Sequence, residues 1–281
     1  MPRTILLTGA SDGIGAASAR QLTELGHRLL LVGRSPEKTA AVARDIGAQH
    51  FIADYARLDD VRRLAREVAD ATDRIDVLAN NAGALLGHRT ITVDGNEATL
   101  QVNHLAPFLL TQLLLPQLQA GEGIVVNTAS SAARRLARFD IDDLQGERSY
   151  GPNRAYGNAK LANILHARGL QERYGDAGIS AVAFDPGNVR TSFAVGSTSI
   201  LRLVYRTPLA RLLLISPEQG GTNLTFFADG TPGTTWQPGR FYTERSPATL
   251  GDTNPLVHAD WLVDELWERS EALVAGETSA V

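Results

Sequence analysis

The run Thr8-Gly9-Ala10-Ser11-Asp12-Gly13-Ile14-Gly15 stands between a short apolar segment, Thr4–Thr8, and an amphipathic one, Ile14–Leu25. A strand that halts at a cluster of glycines and resumes as a helix makes a tight βα turn. Without side chains at the turn, its backbone can lie close to another group. The unpaired amides and positive dipole end of the following helix then face outward, an arrangement suited to phosphate. The spacing is G-x3-G-x-G, which differs from the G-x-G-x-x-G of the general dinucleotide fingerprint.

Outward from this turn the same rhythm repeats. Apolar, β-rich runs predict strands at Thr4–Thr8, Arg28–Gly33, His50–Ala53, Val77–Asn80, Ile124–Thr128, Ser180–Phe184 and Arg240–Thr243. Helical periodicity predicts helices at Ile14–Leu25, Pro36–Ile46, Leu58–Thr72, Glu97–Leu118, Arg154–Tyr174 and Glu218–Ala228. Pro36 suits a first helical turn, and Gly26 and Gly47 suit helix ends. Strands alternating with helices indicate an α/β protein: a doubly wound Rossmann fold with a seven-stranded, mainly parallel sheet and helices on both faces. No repeat, low-complexity stretch or linker interrupts residues 1–281, so one domain is expected. Asn188–Ile215 breaks the rhythm as a long insertion. Asn254–Val274 predicts a final helix with Trp261, Leu262, Leu266 and Trp267 on one side.

Composition narrows the function. With 43% hydrophobic and 21% charged residues the chain is globular, and a net charge of −4 gives no reason to expect nucleic acid. The absence of cysteine excludes disulfides, thiolate metal sites and a cysteine nucleophile, and no metal is expected. The opening MPRTILLTGA lacks the long apolar core and small-residue cleavage site of a signal peptide. Nor is there a run of about 20 apolar residues that would span a membrane. A cytoplasmic location is the expectation.

Two further motifs complete the pattern: Asn80-Asn81-Ala82-Gly83 after the fourth strand, and Tyr156-x-x-x-Lys160 in a helix. With the glycine turn, they resemble the combined signature of classical short-chain dehydrogenases/reductases, over a stretch from Thr4 to about Ala228. Thr92-Val93-Asp94-Gly95, Val102-Asn103-His104-Leu105, Phe108-Leu109-Leu110-Thr111, Lys160-Leu161-Ala162-Asn163-Ile164-Leu165 and Pro217-Glu218-Gln219-Gly220 are similar to the retinol-dehydrogenase-like branch. The resemblance implies an enzyme that passes a hydride between a nicotinamide dinucleotide and a small-molecule carbonyl or alcohol. A dinucleotide-sensing regulator without the chemistry is the rival, but such a protein should have lost part of the catalytic set.

The turn residues Thr8, Gly9, Ser11, Asp12, Gly13, Ile14 and Gly15 form the expected pyrophosphate cradle, joined by Asn81, Ala82 and Gly83. Gly33 stands where an NAD-selective carboxylate would be and Arg34 follows it, which favours NADP(H) over NAD(H). Asp12 argues the other way. Asp54 and Tyr55 resemble the family's adenine-edge contact, or else cap the next helix. Pro186, Gly187, Val189 and Thr191 resemble its nicotinamide-carboxamide loop.

Hydride transfer to a carbonyl leaves an alkoxide that needs a proton. Tyr156 is the candidate donor, and Lys160, one helical turn on, places an ammonium beside it that lowers the phenol pKa. The resemblance gives Lys160 the nicotinamide ribose as well. It makes Ser130 the substrate-orienting hydroxyl, with Ser131 exchanged for it by a one-residue slip. Arg134 to Asn153 then forms an extra loop over the cleft. Asn103 matches the family's fourth catalytic residue, which holds a water linked to the lysine. Pro107 has no N–H to bond the Asn103 carbonyl, so that carbonyl is available to such a water. His104 is expected to pack rather than to catalyse. The apolar, arginine-studded insertion 188–215 suggests a lid for a lipophilic substrate, or a surface that touches a membrane. Relatives pair through the helices bearing Asn103 and Tyr156, so a homo-oligomer is a further expectation.

Overall fold

The computed structural model of the chain describes residues 1–187 and 215–275. The strands are β1 (Thr4–Thr8), β2 (Arg28–Gly33), β3 (Gln49–Ile52), β4 (Val77–Asn80), β5 (Ile124–Thr128), β6 (Ser180–Asp185), β7 (Phe241–Thr243) and β8 (Ser246–Pro247). They form one sheet in the order β3-β2-β1-β4-β5-β6-β7-β8. Seven run parallel, and β8 pairs antiparallel with β7. The sheet therefore has eight strands where seven were expected. β8 is a two-residue edge strand ending in proline, too short to show any alternation and tolerated only because it lies at an edge.

Strand order reverses between β1 and β4, so the crevice above their carboxyl ends is the fold's natural ligand site. The glycine turn leaves β1 there, and Asn80-Asn81-Ala82-Gly83 leaves β4 beside it.

Successive strand residues face opposite sides of the sheet and feed two separate cores. Leu6, Leu30, Leu78 and Val125 join one core with helices α3 (Leu58–Ala71), α5 (Ala106–Leu113) and α8 (Pro152–Tyr174). Ile5, Leu7, Leu31 and Val126 join the other, with α1 (Gly13–Glu24), α2 (Pro36–Ile46) and α9 (Pro217–Asp229). On that face α9 lies close against α1: a Cβ at Gly221 would sit 2.8 Å from the Ala17 Cβ.

The helix expected at Glu97–Leu118 is in fact segmented. A short turn, α4 (Ala98–Leu100), runs into a π-helical stretch, Gln101–Leu105, then α5 and α6 (Leu115–Ala120). The prolines account for both breaks. Pro107 cannot donate, and just before it the Ala106 N–H reaches back to the Gln101 carbonyl, one residue further than in an α-helix. Pro116 restarts the chain as α6. A short α7 (Ala132–Arg135) and a 3₁₀ turn, Ile141–Asp143, occupy the loop expected over the cleft.

The last helix, α10 (Asp260–Ala275), starts later than expected. Asn254 instead caps a 3₁₀ turn at Pro255–His258. Leu262, Leu266 and Trp267 are buried, whereas Trp261 is 61% exposed and does not share their face. No helix among the described residues is long and apolar enough to cross a membrane. The expected lid, 188–215, lies outside the described residues except for Ile215.

Candidate active site

Thr8 and Asn81 stitch the two turns together. Thr8 Oγ1 accepts from the Asn81 and Ala82 amides, each at 3.0 Å, and donates to the Ala79 carbonyl at 3.2 Å. Asn81 Nδ2 donates in return to the Thr8 carbonyl at 2.9 Å. Gly9 takes a positive φ of 66°, and a Cβ there would lie 2.9 Å from the Ala82 Cα. A Cβ at Gly15 would collide with the Gly9 carbonyl. The turn thus needs glycine both for its conformation and for its closeness to β4. Asp12 caps α1 by accepting from the Gly13 amide at 2.8 Å. Ile14 is half-buried against the second core.

At the end of β2, the space beside Gly33 is filled by Thr39 Oγ1, which donates to the Ser35 carbonyl at 2.6 Å, and Ser11 packs 3.2 Å away. No acidic side chain fits at position 33. Arg34 is exposed at this edge. Lys38, which sequence reasoning did not single out, sits in the first turn of α2 with its Nζ 3.2 Å from Asp12 Oδ2. Asp54 Oδ1 accepts from the Ala56 amide at 3.1 Å, and its own amide donates to Asp60. Tyr55 is packed in the core, its carbonyl accepting from Gln101 Nε2 at 3.2 Å. Its buried phenol, pushed well up in pKa, is not on the cleft surface.

Tyr156 is half-buried on α8, and the Lys160 ammonium lies 5.6 Å from the centre of its ring. Lys160 is buried and donates to the Thr128 carbonyl at 3.0 Å, at the end of β5. Burial pushes its pKa down to about 8, and the nearby Asp185 carboxylate partly counters this.

Gly83 lies at the meeting point of two motifs. A Cβ there would be 2.7 Å from Asn103 Oδ1 and 3.1 Å from Lys160 Nζ. These two groups are consequently within about 6 Å of each other, a span one water can bridge. The Asn103 side chain is fully engaged. It accepts from the Ala84 amide at 3.1 Å and donates to the Ala84 and Thr99 carbonyls at 2.8 and 2.9 Å.

Ser130 and Ser131 are half-buried beyond β5. Ser130 Oγ accepts from the Ala132 amide at 3.2 Å, while Ser131 opens α7 without a side-chain capping bond. Asp185, at the end of β6, was also not singled out. Its buried carboxylate accepts from the Gly187 amide at 3.1 Å and from the Ser131 amide. Burial raises its pKa, and those two amides and Arg135 act against the rise, while Glu244 adds to it. The only sequence signal was an acid directly before Pro186-Gly187 at a strand end. The Pro186 carbonyl is held by Asn223 Nδ2 at 3.1 Å. Val189 and Thr191 lie outside the described residues. No cluster of metal-binding side chains occurs among the described residues.

The geometry has counterparts in known proteins. Residues 3–199 match the family model described as short chain dehydrogenase. The chain is 40% identical over 285 aligned residues to a Streptomyces protein named "Putative daunorubicin C-13 ketoreductase DnrU", covering 99% of this chain and 94% of that one. It is 34% identical to human retinol dehydrogenase 13 over 80% of this chain and 72% of the other. Among solved structures, the Pseudomonas aeruginosa RhlG/NADP active-site complex superposes with a TM-score of 0.68 at 27% identity. That match covers 86% of this chain and 94% of the other.

Proposed function

The chain belongs to the short-chain dehydrogenase family, and on that footing we propose that it is an NADP(H)-linked oxidoreductase of a lipophilic carbonyl/alcohol pair, with Tyr156 as proton donor and acceptor. The observation that carries this reading is the buried Lys160 ammonium, anchored on Thr128 and set 5.6 Å from the Tyr156 ring.

The glycine turn fits a dinucleotide: it opens α1 at its N-terminus, and glycine is required there by the close approach of the segment that follows β4. Gly9, Gly13 and Gly15, with Asn81 to Gly83, would cradle the pyrophosphate. Arg34 would meet a 2′-phosphate, with Lys38 close by. Bound NADPH supplies the hydride. Preference for NADP(H) over NAD(H) is supported by Arg34, by the absence of room for an acid at position 33, and by the NADP named in the structural relative's title.

In the reductive direction, Tyr156 gives its proton to the substrate oxygen as charge develops on it. Lys160 stabilises the resulting phenolate electrostatically. Ser130 orients the same oxygen through its hydroxyl, and its neighbour Ser131 is held by Asp185. A water held by the Asn103 carbonyl, which Pro107 cannot bond, would pass a proton from solvent toward Lys160. In oxidation the same groups act in reverse. The lipophilic substrate class is supported by the apolar composition of residues 188–215 and by the ketoreductase and retinol dehydrogenase names of the relatives.

The test is cofactor oxidation by purified protein across aliphatic, aromatic, steroid and retinoid carbonyls, with Tyr156→Phe as the blank. Turnover with NADPH that disappears in the variant is expected. Turnover that persists in Tyr156→Phe would sink the assignment.

A further inference from the structure

Behind Lys160 lies a buried polar layer that the reaction does not use. Thr111 Oγ1 donates to the Pro107 carbonyl at 2.7 Å and accepts from Asn80 Nδ2 at 3.1 Å. Asn80 Nδ2 also donates to Asn127 Oδ1 at 3.0 Å. Asn127 Nδ2 in turn donates to the Asn163 carbonyl and to His166 Nδ1, both at 3.2 Å. On the π-helical stretch, His104 Nε2 lies 2.9 Å from Ser270 Oγ of α10. All of these side chains are buried, and Phe108 and Trp267 pack against the His166 ring.

The neighbours dictate where the protons sit. The Asn163 carbonyl can only accept, so Asn127 must turn its NH₂ that way, and His166 Nδ1 must accept from the same group. The His166 proton is therefore on Nε2. Ser270 gives its hydrogen to the Leu266 carbonyl at 2.7 Å, so His104 Nε2 is the donor to Ser270, and His104 Nδ1 keeps a bare lone pair. Both rings are neutral, because burial pushes His104 down to about 4 and His166 well below its ordinary value.

Four buried atoms of this layer then lack an aligned hydrogen-bond partner: Asn80 Oδ1 and, around the two rings, His166 Nε2, a donor, with His104 Nδ1 and Asn163 Oδ1, both acceptors. The two rings stand perpendicular with centroids 6.0 Å apart. Asn163 is one helical turn before His166 on α8, and its amide lies beside His104. Left unbonded, each atom would cost about 1–3 kcal/mol. One donor and two acceptors form the complement of a single water, which accepts one hydrogen bond here and donates two.

We propose that His104, His166 and Asn163 form a site for one internal water, and that this water makes Asn163 a positioning residue for Lys160. Asn163 Nδ2 donates at 3.3 Å to the Thr128 carbonyl, the same oxygen that receives the Lys160 ammonium. With its Oδ1 held by water, the Asn163 amide cannot rotate, and the carbonyl stays aimed at the lysine. Through His104 and Ser270 the same water ties α10 to the catalytic helix. The kinetic part of this proposal rests on the Tyr156–Lys160 reading; the water site itself does not.

Two measurements test it. Long-range ¹H–¹⁵N correlation spectra of the wild-type protein report each histidine's tautomer. Neutral Nε2–H forms of both His104 and His166 are expected. A His104 proton on Nδ1, bonded directly to Asn163, overturns the water site. For the kinetic arm, His166→Gln presents an acceptor and a donor in the same order and should retain turnover. His166→Leu removes both, and should lower kcat by about five- to ten-fold with cofactor KM unchanged. It should also move the pH limb belonging to Tyr156 up by about half a unit, since a looser ammonium stabilises phenolate less. Lys160 and, beside it, Asp185 are the charges that set that limb. Wild-type kinetics in His166→Leu, or equal losses in both variants, overturn the positioning role. Activity surviving in Tyr156→Phe would instead defeat the parent reading, leaving the tautomer result standing.

Discussion

Lys38 Nζ lies 3.2 Å from Asp12 Oδ2, so a cation from the first turn of α2 is docked on the acid of the glycine turn. Both groups are more than half exposed, and the pair adds little to stability. Its consequence is for charge at the adenosine end of the cleft. On the proposed reading, Asp12, which by itself would repel a 2′-phosphate, is paired with a lysine at the same end of the turn. Lys38→Ala should weaken NADPH binding by about ten-fold and leave NADH binding nearly unchanged, as loss of one exposed charge contact implies. Cofactor titration by fluorescence measures both constants. Equal weakening of the two cofactors would mean that Lys38 does not read the phosphate.

Gly33 offers a second test of cofactor choice. Because Thr39 Oγ1 fills the space a side chain would need, Gly33→Asp should not convert the protein to NADH. It should destabilise the fold by about 2 kcal/mol through overpacking, read as a lower midpoint in urea. Gly33→Asp combined with Thr39→Ala is expected to recover stability and gain NADH affinity.

On the proposed reading, Lys160 sets function against stability. Its folded pKa, about 8, is depressed from 10.5. The native state therefore holds fewer protons than the unfolded state between pH 8 and 10.5, and stability should rise with pH across that window. Below it, the burial penalty is present in full, on the order of 3 kcal/mol. Lys160→Met removes that penalty while losing the Thr128 hydrogen bond. The expected result at pH 7 is a Tm higher by a few degrees together with loss of turnover. A lower Tm would show that the hydrogen bond outweighs desolvation.

Asp185→Asn separates charge from hydrogen bonding. Asparagine keeps an oxygen that accepts from the Gly187 amide, but the negative charge near Lys160 is gone. Lys160 should then lose its proton at lower pH, so the high-pH limb of kcat/KM in the reductive direction should move down. Asp185→Leu, which releases the Gly187 amide as well, should lose turnover at every pH. A pH profile unmoved in Asp185→Asn would rule out the electrostatic link.

Much of this protein was legible locally. The glycine turn, Asn80 to Gly83 and the Tyr156–Lys160 pair each depend on residues within a few positions of one another. Strand and helix periodicity therefore placed them on the correct elements. The missing N–H of Pro107 was legible, but the π-helical stretch before it was not, because one uninterrupted helix was expected over Glu97–Leu118. The edge strand β8 was not legible, since two residues carry no period.

What the sequence by itself determined is the order of βα units and the spacing of groups along single elements, because backbone hydrogen bonding and hydrophobic periodicity act over one or two turns. What only the tertiary structure decided is which distant groups meet. Lys38 docks on Asp12, Asp185 holds the amide of Ser131, Tyr55 faces the core, and two histidines converge behind Lys160. Those contacts arise where strand ends and helices are brought together by the packing of two cores on one sheet, and no spacing along the chain encodes them.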